Sequence, residues 1–334
     1  MTKPLFLAIA ALTLVGAAVP LCGSWSNGPA LPVARSEVAV ATLDGRVYVI
    51  GGYANGNADQ TLVQVSQPFA RPPGTPYITI TFLPWRDVAP LPRGLNHIGA
   101  VGYGGKIYTF GGFAAQNGAA VNDANVYDPI GDKWSPIAPL PHALGSVSIA
   151  VLGDQIQLVG GRDVHSVRSH YVYDPATNRY SELAPLPVGR DHMGLAPYAC
   201  KLYAIGGRID TPAHNTNYVD IYDPKKNAWT SGRPMPTARS GMAVAVYRNV
   251  VFAIGGEARG MARAFATNDG YDPVTNLWGK YAPMPEGRHG TGAAVIGGRL
   301  FVAAGAPVPG GSRQSNTLLI YTLPESGCVD CTDC

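Results

Sequence analysis

Short apolar runs bounded by turn residues recur along the chain. The run Val47-Tyr48-Val49-Ile50 ends in a glycine pair, and the longer run 240–247 precedes another such pair. Period-2 alternation over a few residues, bounded by Gly, Asp and Asn, is typical of β-strands joined by tight turns. We find no stretch with the 3.6-residue period of an amphipathic helix. The pattern therefore predicts an all-β protein.

A block of fixed internal spacing occurs six times. It opens with an aromatic residue, has Leu-Pro or Met-Pro six residues later, and reaches a glycine pair twenty residues after that Leu or Met. The aromatic residues are Trp25, Trp85, Trp134, Tyr180, Trp229 and Trp278, and the pairs begin at Gly51, Gly111, Gly160, Gly206, Gly255 and, as Ala-Gly, Ala304. Tyr-Asp-Pro at Tyr127, Tyr173, Tyr222 and Tyr271 precedes the next aromatic residue. A period near 50 residues is typical of stacked or radial repeats.

Each block is interpreted as four short antiparallel strands, and six such blocks predict a six-bladed β-propeller over residues 23–323. One blade cannot bury both of its faces, whereas a ring of blades does. The last block ends at Tyr321 without its own aromatic strand, and the chain supplies an unpaired one at Trp25. We therefore predict that residues 23–30 close the last blade. The longer first block predicts a protruding loop or disturbed strand pair over 66–84.

Gly-Gly, Tyr-Asp-Pro and Trp at these spacings resemble the kelch repeat, over roughly residues 24–323. The resemblance implies a central channel with partners bound at one mouth through Arg of the strand-start position. It also implies two enzymatic alternatives, a sugar-acid epimerase or mutarotase of the sialic acid type and a copper oxidase similar to galactose oxidase. The oxidase needs a Cys–Tyr crosslink at the channel, but Cys200 is predicted in a hairpin on the opposite face.

Arginines cluster at the predicted start of the innermost strand, four residues after the Leu or Met of a block. They are Arg35, Arg190, Arg239 and Arg288. Arg162 and Arg208 follow glycine pairs at the same face, and His97 and His192 stand two residues beyond the Arg position, with His289 adjacent to it. Guanidinium groups gathered at one mouth favour capture of a carboxylate or phosphate. The structural alternative is that each Arg bonds backbone carbonyls of the next blade, or pairs with Asp163, Asp191, Asp210 or Glu257.

Composition and the lack of known catalytic motifs restrict the possible classes of function. Of 334 residues, 46% are hydrophobic and 14% charged, with a formal net charge of +3. This argues against disorder and against a basic nucleic-acid-binding arm. P-loop, GxSxG and HExxH motifs are absent from the sequence, so we predict no catalytic residue, cofactor or metal site. Sugar-acid chemistry would need an acid–base pair near an Arg, for which Glu257, His192 and His289 are conceivable.

The two ends of the chain suggest export. Residues 1–18 resemble a signal peptide whose apolar run is too short to span a membrane. We expect a secreted or periplasmic protein without a membrane span after cleavage; a retained anchor or lipidation at Cys22 is the alternative. The tail 324–334 contains Cys328, Cys331 and Cys334. Because ring closure brings Cys22 near this tail, we predict a Cys22–Cys328 disulfide, with a zinc site on these cysteines as the alternative.

Taken together, these features predict an exported, monomeric binding module. Its expected ligand is an acidic peptide, an acidic glycan or a sugar acid, or an anionic surface of a protein partner. Nucleic acid is not expected as a partner. A scaffold that binds no small ligand is the third possibility.

Overall fold

The computed structural model describes residues 21–69, 81–116, 118–310 and 312–324. It contains six four-stranded antiparallel sheets, the blades of a propeller, and two small two-stranded sheets. The all-β class and the six-bladed propeller are thus confirmed. Helical structure within the described ranges is limited to single 3₁₀ turns at Asn55–Asn57 and Pro212–His214. Neither could cross a bilayer, since a spanning helix must be far longer and apolar.

Strands follow one another outward from the channel within each blade. In chain order they are β1 (Ser24–Asn27), β2 (Ala39–Leu43), β3 (Arg46–Ile50), β4 (Tyr53–Ala54), β5 (Ala58–Asp59), β6 (Val63–Ser66), β7 (Pro68–Phe69), β8 (Thr81–Phe82), β9 (Arg86–Val88), β10 (Gly99–Tyr103), β11 (Lys106–Phe110), β12 (Ala124–Asp128), β13 (Lys133–Pro136), β14 (Ser148–Leu152), β15 (Gln155–Val159), β16 (His170–Asp174), β17 (Arg179–Glu182), β18 (Gly194–Tyr198), β19 (Lys201–Ile205), β20 (Val219–Asp223), β21 (Ala228–Ser231), β22 (Ala243–Tyr247), β23 (Val250–Ile254), β24 (Asn268–Asp272), β25 (Leu277–Tyr281), β26 (Gly292–Ile296), β27 (Arg299–Ala303) and β28 (Leu318–Thr322). Blade one is β2-β3-β6-β9, blades two to five take four consecutive strands each from β10 to β25, and blade six is β26-β27-β28-β1.

The N-terminal strand closes the ring, as predicted. Strand β1 pairs antiparallel with β28, and Trp25 lies opposite Tyr321. Their ring centroids are 4.9 Å apart, and the Tyr321 hydroxyl donates to the Cys22 carbonyl at 2.6 Å. The first and last parts of the propeller are therefore held by one sheet.

A hydrogen bond between neighbouring blades is repeated at every aromatic position of the repeat. Trp25 Nε1 donates to Ala282 O at 2.7 Å and Trp134 Nε1 to Ala89 O at 2.8 Å, and the hydroxyl of Tyr180 makes the equivalent bond to Ala138 O. Each acceptor lies four residues after the aromatic residue of the preceding blade. The fixed spacing of the repeat thus satisfies polar groups between blades as well as packing the aromatic rings.

The core lies between blades. Phe110 of blade two packs in one cluster with Ile156 and Leu158 of blade three, and all three are fully buried. Burial of the second and third strands on both faces confirms the reason given for a ring of blades. Each Ile or Leu removed from water there contributes roughly 1.5–3 kcal/mol.

The glycine pairs allow close approach of the next blade. Gly51 has φ of 59°, and a Cβ built on it would lie 2.6 Å from the Leu95 carbonyl oxygen. The equivalent residue of blade six, Ala304, also has φ of 59°. The positive φ expected of these positions is therefore a property of the turn itself, and glycine adopts it with the least strain.

Residues 66–84 contain a disturbed strand pair. Strand β6 pairs directly with β9, and beside them β7 and β8 form a separate two-stranded sheet. Residues 70–80 between them lie outside the described ranges. So do residues 1–20 and 325–334, on which the signal-peptide prediction and most of the tail predictions fall.

Candidate functional site

Six equivalent residues form a ring at one mouth of the channel, each two residues after the Arg position. They are Glu37, His97, Ser146, His192, Gly241 and Gly290, with φ between 52° and 66°. Backbone N–H groups bond round the ring: His97 N donates to Glu37 O at 3.0 Å, and Ser146 N to His97 O at 2.9 Å. The left-handed backbone turns the chain into the innermost strand, and this brings titratable side chains of three different blades to the axis.

The four arginines of the strand-start position do not line the mouth. Arg35, Arg190 and Arg239 have 0% exposure and Arg288 has 2%. Each guanidinium points into its own blade, where Arg35 donates to the Gly51 and Val49 carbonyls and to the Gln64 amide. Their predicted role in recognition is therefore corrected: buried groups bonded inside a blade cannot meet a ligand in the channel.

The structural alternative for these arginines is correct in kind but not in detail. The acceptors belong to the same blade rather than to the next one. The hydrogen-bonded carboxylate partners are Asp220 for Arg190 and Asp269, at 2.7 Å, for Arg239, and Glu286 lies 4.0 Å from Arg288. None of the four Asp or Glu residues proposed from sequence takes this role.

Arg208 does reach the mouth and joins blade four to blade five. Its Nε lies 3.1 Å from Asp191 Oδ1, its Nη1 2.8 Å from Glu257 Oε1, and its Nη2 2.8 Å from His192 Nε2. Burial, together with the positive charge of Arg208, lowers the pKa of His192 to about 4, although Asp191 opposes the shift. His192 is therefore a neutral imidazole at physiological pH.

Glu37 is the centre of the second group at the mouth. Its Oε2 lies 3.0 Å from His97 Nε2, and its Oε1 lies 3.3 Å from Nδ1 of His289, which is 3.6 Å from Glu257. Burial alone would raise the pKa of Glu37, but the charge of His97 and hydrogen bonds from both imidazoles outweigh it and hold that pKa well below its usual range. Burial also disfavours the charged form of His289 and would lower its pKa. The carboxylates of Glu37 and Glu257 outweigh this effect and raise the pKa of His289 to about 9.

A cavity of about 650 Å³ opens above this network. Its lining includes Glu37, His97, Arg208, Glu257, Arg162 and Arg259, together with the loop residues 210–213. Arg162 is half-buried; its Nη1 donates to the Asp210 carbonyl at 3.4 Å, and its Nε has no partner among the described residues. Arg259 is exposed, and neither arginine forms an ion pair with a carboxylate of the described ranges. Among the described residues that line this cavity, Arg162 and Arg259 are thus the arginines without a carboxylate partner.

The structure thus brings together His97, His192, His289, Arg162 and Arg208 from the sequence prediction. Sequence reasoning missed Glu37, which lies at the same repeat position as His97 and His192. The sequence did contain a signal for this position. Its residue type varies among the blades, so it is not explained by a structural requirement that all blades share. The Arg recurs in four of the six blades and serves a structural need that those blades share.

Two further features bear on the chemistry of the mouth. Side-chain ligand atoms of Glu37, His97 and His192 lie within 4.8 Å of one another, close enough to share a metal ion. Cys200 is exposed and unbonded, in the turn that joins β18 to β19. This confirms its predicted place in a hairpin, and a Cys–Tyr crosslink at the channel cannot involve it.

Comparisons with known proteins agree with the repeat. The model of the Kelch motif family matches residues 34–63, 95–141, 189–236 and 238–285, together more than half of the chain. Kelch-like protein terF of Aspergillus terreus is 31% identical over 153 residues, 42% of this chain and 31% of that protein. Human Kelch-like protein 23 is 30% identical over 146 residues, 42% of this chain and 23% of that protein. The matches therefore span less than a third of these curated relatives.

A solved structure extends the comparison to nearly the whole fold. The structure of YjhT superposes with a TM-score of 0.74 and 16% identity, covering 90% of this chain and 98% of that one. At this level of identity the similarity shows a common fold.

Proposed function

The chain belongs to the kelch-motif family, and from that premise we propose that it is an exported binding module whose channel mouth holds an anionic ligand. The observation that carries the proposal is the pair Arg162 and Arg259, two guanidinium groups in one cavity without a carboxylate partner. Arginine binds carboxylate and phosphate through paired N–H donors, and it does so most strongly where water is partly excluded.

The charges of the cavity restrict the ligand further. Glu37, Glu257 and Asp210 line the same space as the arginines. A uniformly negative ligand would be repelled by these carboxylates, whereas neutral hydroxyl groups can donate hydrogen bonds to them. A molecule with one anionic group and several hydroxyls therefore fits best, which favours a sugar acid or acidic glycan over an acidic peptide.

The experiment is calorimetric titration with N-acetylneuraminic acid, and with N-acetylglucosamine as the neutral comparison. Arg162→Ala and Arg259→Ala should each weaken binding of the acid by about 1.5–3 kcal/mol, the usual contribution of a charged hydrogen bond. They should also flatten its dependence on salt. Arg179→Ala is the control, because Arg179 is exposed at the opposite end of the blade. Equal affinity of all three variants for the acid would reject the site.

Export is part of the proposal and has its own test. The mature protein should begin after Ala18 and be recovered outside the cytoplasm. Mass spectrometry of the purified native protein measures this directly, and an intact Met1 terminus would contradict it.

A sugar-acid epimerase or mutarotase is the second candidate, favoured by the pair His289 and Glu257. Glu257 lines the cavity and can accept a proton from the anomeric hydroxyl and return it to the ring oxygen, and His289, whose pKa is raised to about 9, is a cation beside this carboxylate. NMR exchange between anomers of N-acetylneuraminic acid tests this. Glu257→Gln should abolish acceleration while the sugar still binds; a wild-type protein that does not accelerate exchange would exclude this activity for that sugar.

A further inference from the structure

We propose that Glu37, His97 and His192 form a binding site for a divalent transition-metal ion at the channel mouth. Their candidate ligand atoms lie within 4.8 Å of one another. Two imidazoles and one carboxylate are a ligand set used for Zn²⁺ and for non-haem Fe²⁺. This inference goes beyond the binding of an anion and does not depend on it.

Hydrogen bonds fix the tautomer of His97. The Asn96 amide nitrogen donates to Asp59 Oδ1 at 2.8 Å and to the Phe113 carbonyl at 3.0 Å. The Asn96 Oδ1 must therefore be the atom bonded to His97 Nδ1, and it can only accept. Nδ1 therefore donates to Asn96, and Nε2 is the ring nitrogen of His97 that faces Glu37 and can bind a metal ion.

His192 is oriented in the same way by a different partner. Its Nδ1 bonds Asp191 Oδ1, so that nitrogen is the donor. The Nη2 of Arg208 donates to its Nε2 at 2.8 Å, which independently identifies Nε2 as the lone pair. Metal-bound histidines commonly donate the other ring N–H to a carboxylate or carbonyl, which fixes the ring and raises its basicity.

Nε2 of His97 and Oε2 of Glu37 are 3.0 Å apart, about the separation of two atoms that bind one Zn²⁺ ion at about 2.0 Å each. Three carboxylates, those of Glu37, Glu257 and Asp191, lie at the site and favour a cation there, beside the guanidinium of Arg208 and the imidazole of His289. When an ion binds Nε2 of His192, Arg208 loses its hydrogen bond to that atom and keeps its ion pairs with Asp191 and Glu257.

The geometry leaves one side of the site open. Glu37 and His97 line the 650 Å³ cavity, so water or a ligand can reach the ion from there. Three protein ligands and an open position are characteristic of catalytic rather than structural zinc sites. Imidazole ligands also disfavour Mg²⁺ and Ca²⁺, which prefer oxygen.

The test uses the full mature chain without a histidine tag, stripped with a chelator. Calorimetric titration with ZnCl₂ should show one ion per chain at the mouth. Since Cys328, Cys331 and Cys334 could also bind zinc, the titration is repeated on the variant with all three replaced by Ser.

Variants separate this site from other zinc-binding groups. His97→Gln and His192→Gln should each weaken Zn²⁺ binding by at least about 100-fold, and Asn96→Ala, which removes an outer partner, by about 10–100-fold. His165→Gln is the matched control, an exposed histidine at the same mouth that pairs with Asp210. Circular dichroism checks that each variant is folded.

A measurement on the unmutated protein is decisive if a variant does not fold. In ¹⁵N-labelled protein, Zn²⁺ should shift the Nε2 resonances of two histidines and leave their Nδ1–H signals in place. Absence of these shifts, binding that survives both His→Gln changes, or binding that disappears only with the tail cysteines would overturn the proposal.

Discussion

Arg239 donates from Nη1 to Asp269 Oδ2 at 2.7 Å, and the two side chains are 0% and 5% exposed. Blade four repeats the relationship between Arg190 and Asp220, whereas blade one places the neutral Gln64 amide against Arg35. In each of these blades the guanidinium joins the start of the innermost strand to the third strand. The arginine therefore acts as an internal brace of the blade.

Loss of this brace should destabilise the protein strongly. Arg239→Gln leaves the Asp269 carboxylate buried without its cation, and removal of one partner of a buried pair costs about 3–5 kcal/mol. The double variant Arg239→Gln with Asp269→Asn should recover part of that loss. Urea unfolding measures both. Arg93→Gln is the control, since the exposed Arg93–Asp123 pair at 2.9 Å contributes about 0–1 kcal/mol; equal losses in the two single variants would contradict the assignment.

Acid should destabilise the protein through His170. Burial lowers the pKa of His170 to about 4, against an ordinary value of 6.5. Between these values the unfolded chain takes up a proton that the folded state does not, so stability falls as the pH drops from 6.5 to 4 and is unaffected above 6.5. The total loss is about 3 kcal/mol.

The measurement is the free energy of unfolding at pH 7.5 and pH 5.0. His170→Gln should show a smaller difference than wild type, because Gln does not titrate. His142→Gln, at an exposed histidine, should keep the wild-type difference. An unchanged pH dependence in His170→Gln would show that other groups cause the acid sensitivity.

Substitution of the first glycine of a pair should lower the free energy of unfolding by more than the strain of the left-handed backbone alone. Gly51→Ala places a Cβ 2.6 Å from the Leu95 carbonyl oxygen of the next blade. Gly45→Ala is the control in the same blade, with φ of 70° and nothing within 4 Å. Both lose roughly 1 kcal/mol or more to the left-handed conformation; Gly51→Ala should lose about 1–3 kcal/mol in addition. Thermal unfolding of the two variants decides, and matching melting temperatures would refute the clash.

A disulfide between Cys22 and Cys328 should reinforce the closure at β1. Cys328 lies outside the described residues, so the bond stays a prediction. Peptide mapping without reduction should recover the two cysteines in one fragment. Cys328→Ser should lower stability by about 2–5 kcal/mol, the usual effect of removing a native disulfide. Cys331→Ser is the matched control, and a linked Cys22–Cys331 peptide instead would correct the pairing.

Much of the fold could be predicted because the repeat is local. Seven residues from Tyr to Trp is a distance within one hairpin, where a tight turn fixes the register, and six residues from Trp to Leu is the short connection to the next blade. Tyr127 accordingly lies opposite Trp134, and Trp25 opposite Tyr321. Closure of the ring could be predicted because the chain begins with an aromatic strand that precedes the first blade, whereas the last block has no aromatic strand of its own.

The amino-acid sequence by itself determined the blades, their number and the end of the channel at which Arg35, His97 and His192 begin their strands. Only the tertiary structure decided which of these side chains enter the channel. A long arginine at a strand start can point either into its blade or toward the axis, and unsatisfied carbonyls inside the blade draw it inward. Glu37, His97 and His192 are distant in sequence, and they meet because closing the ring brings one position of every blade to the same axis.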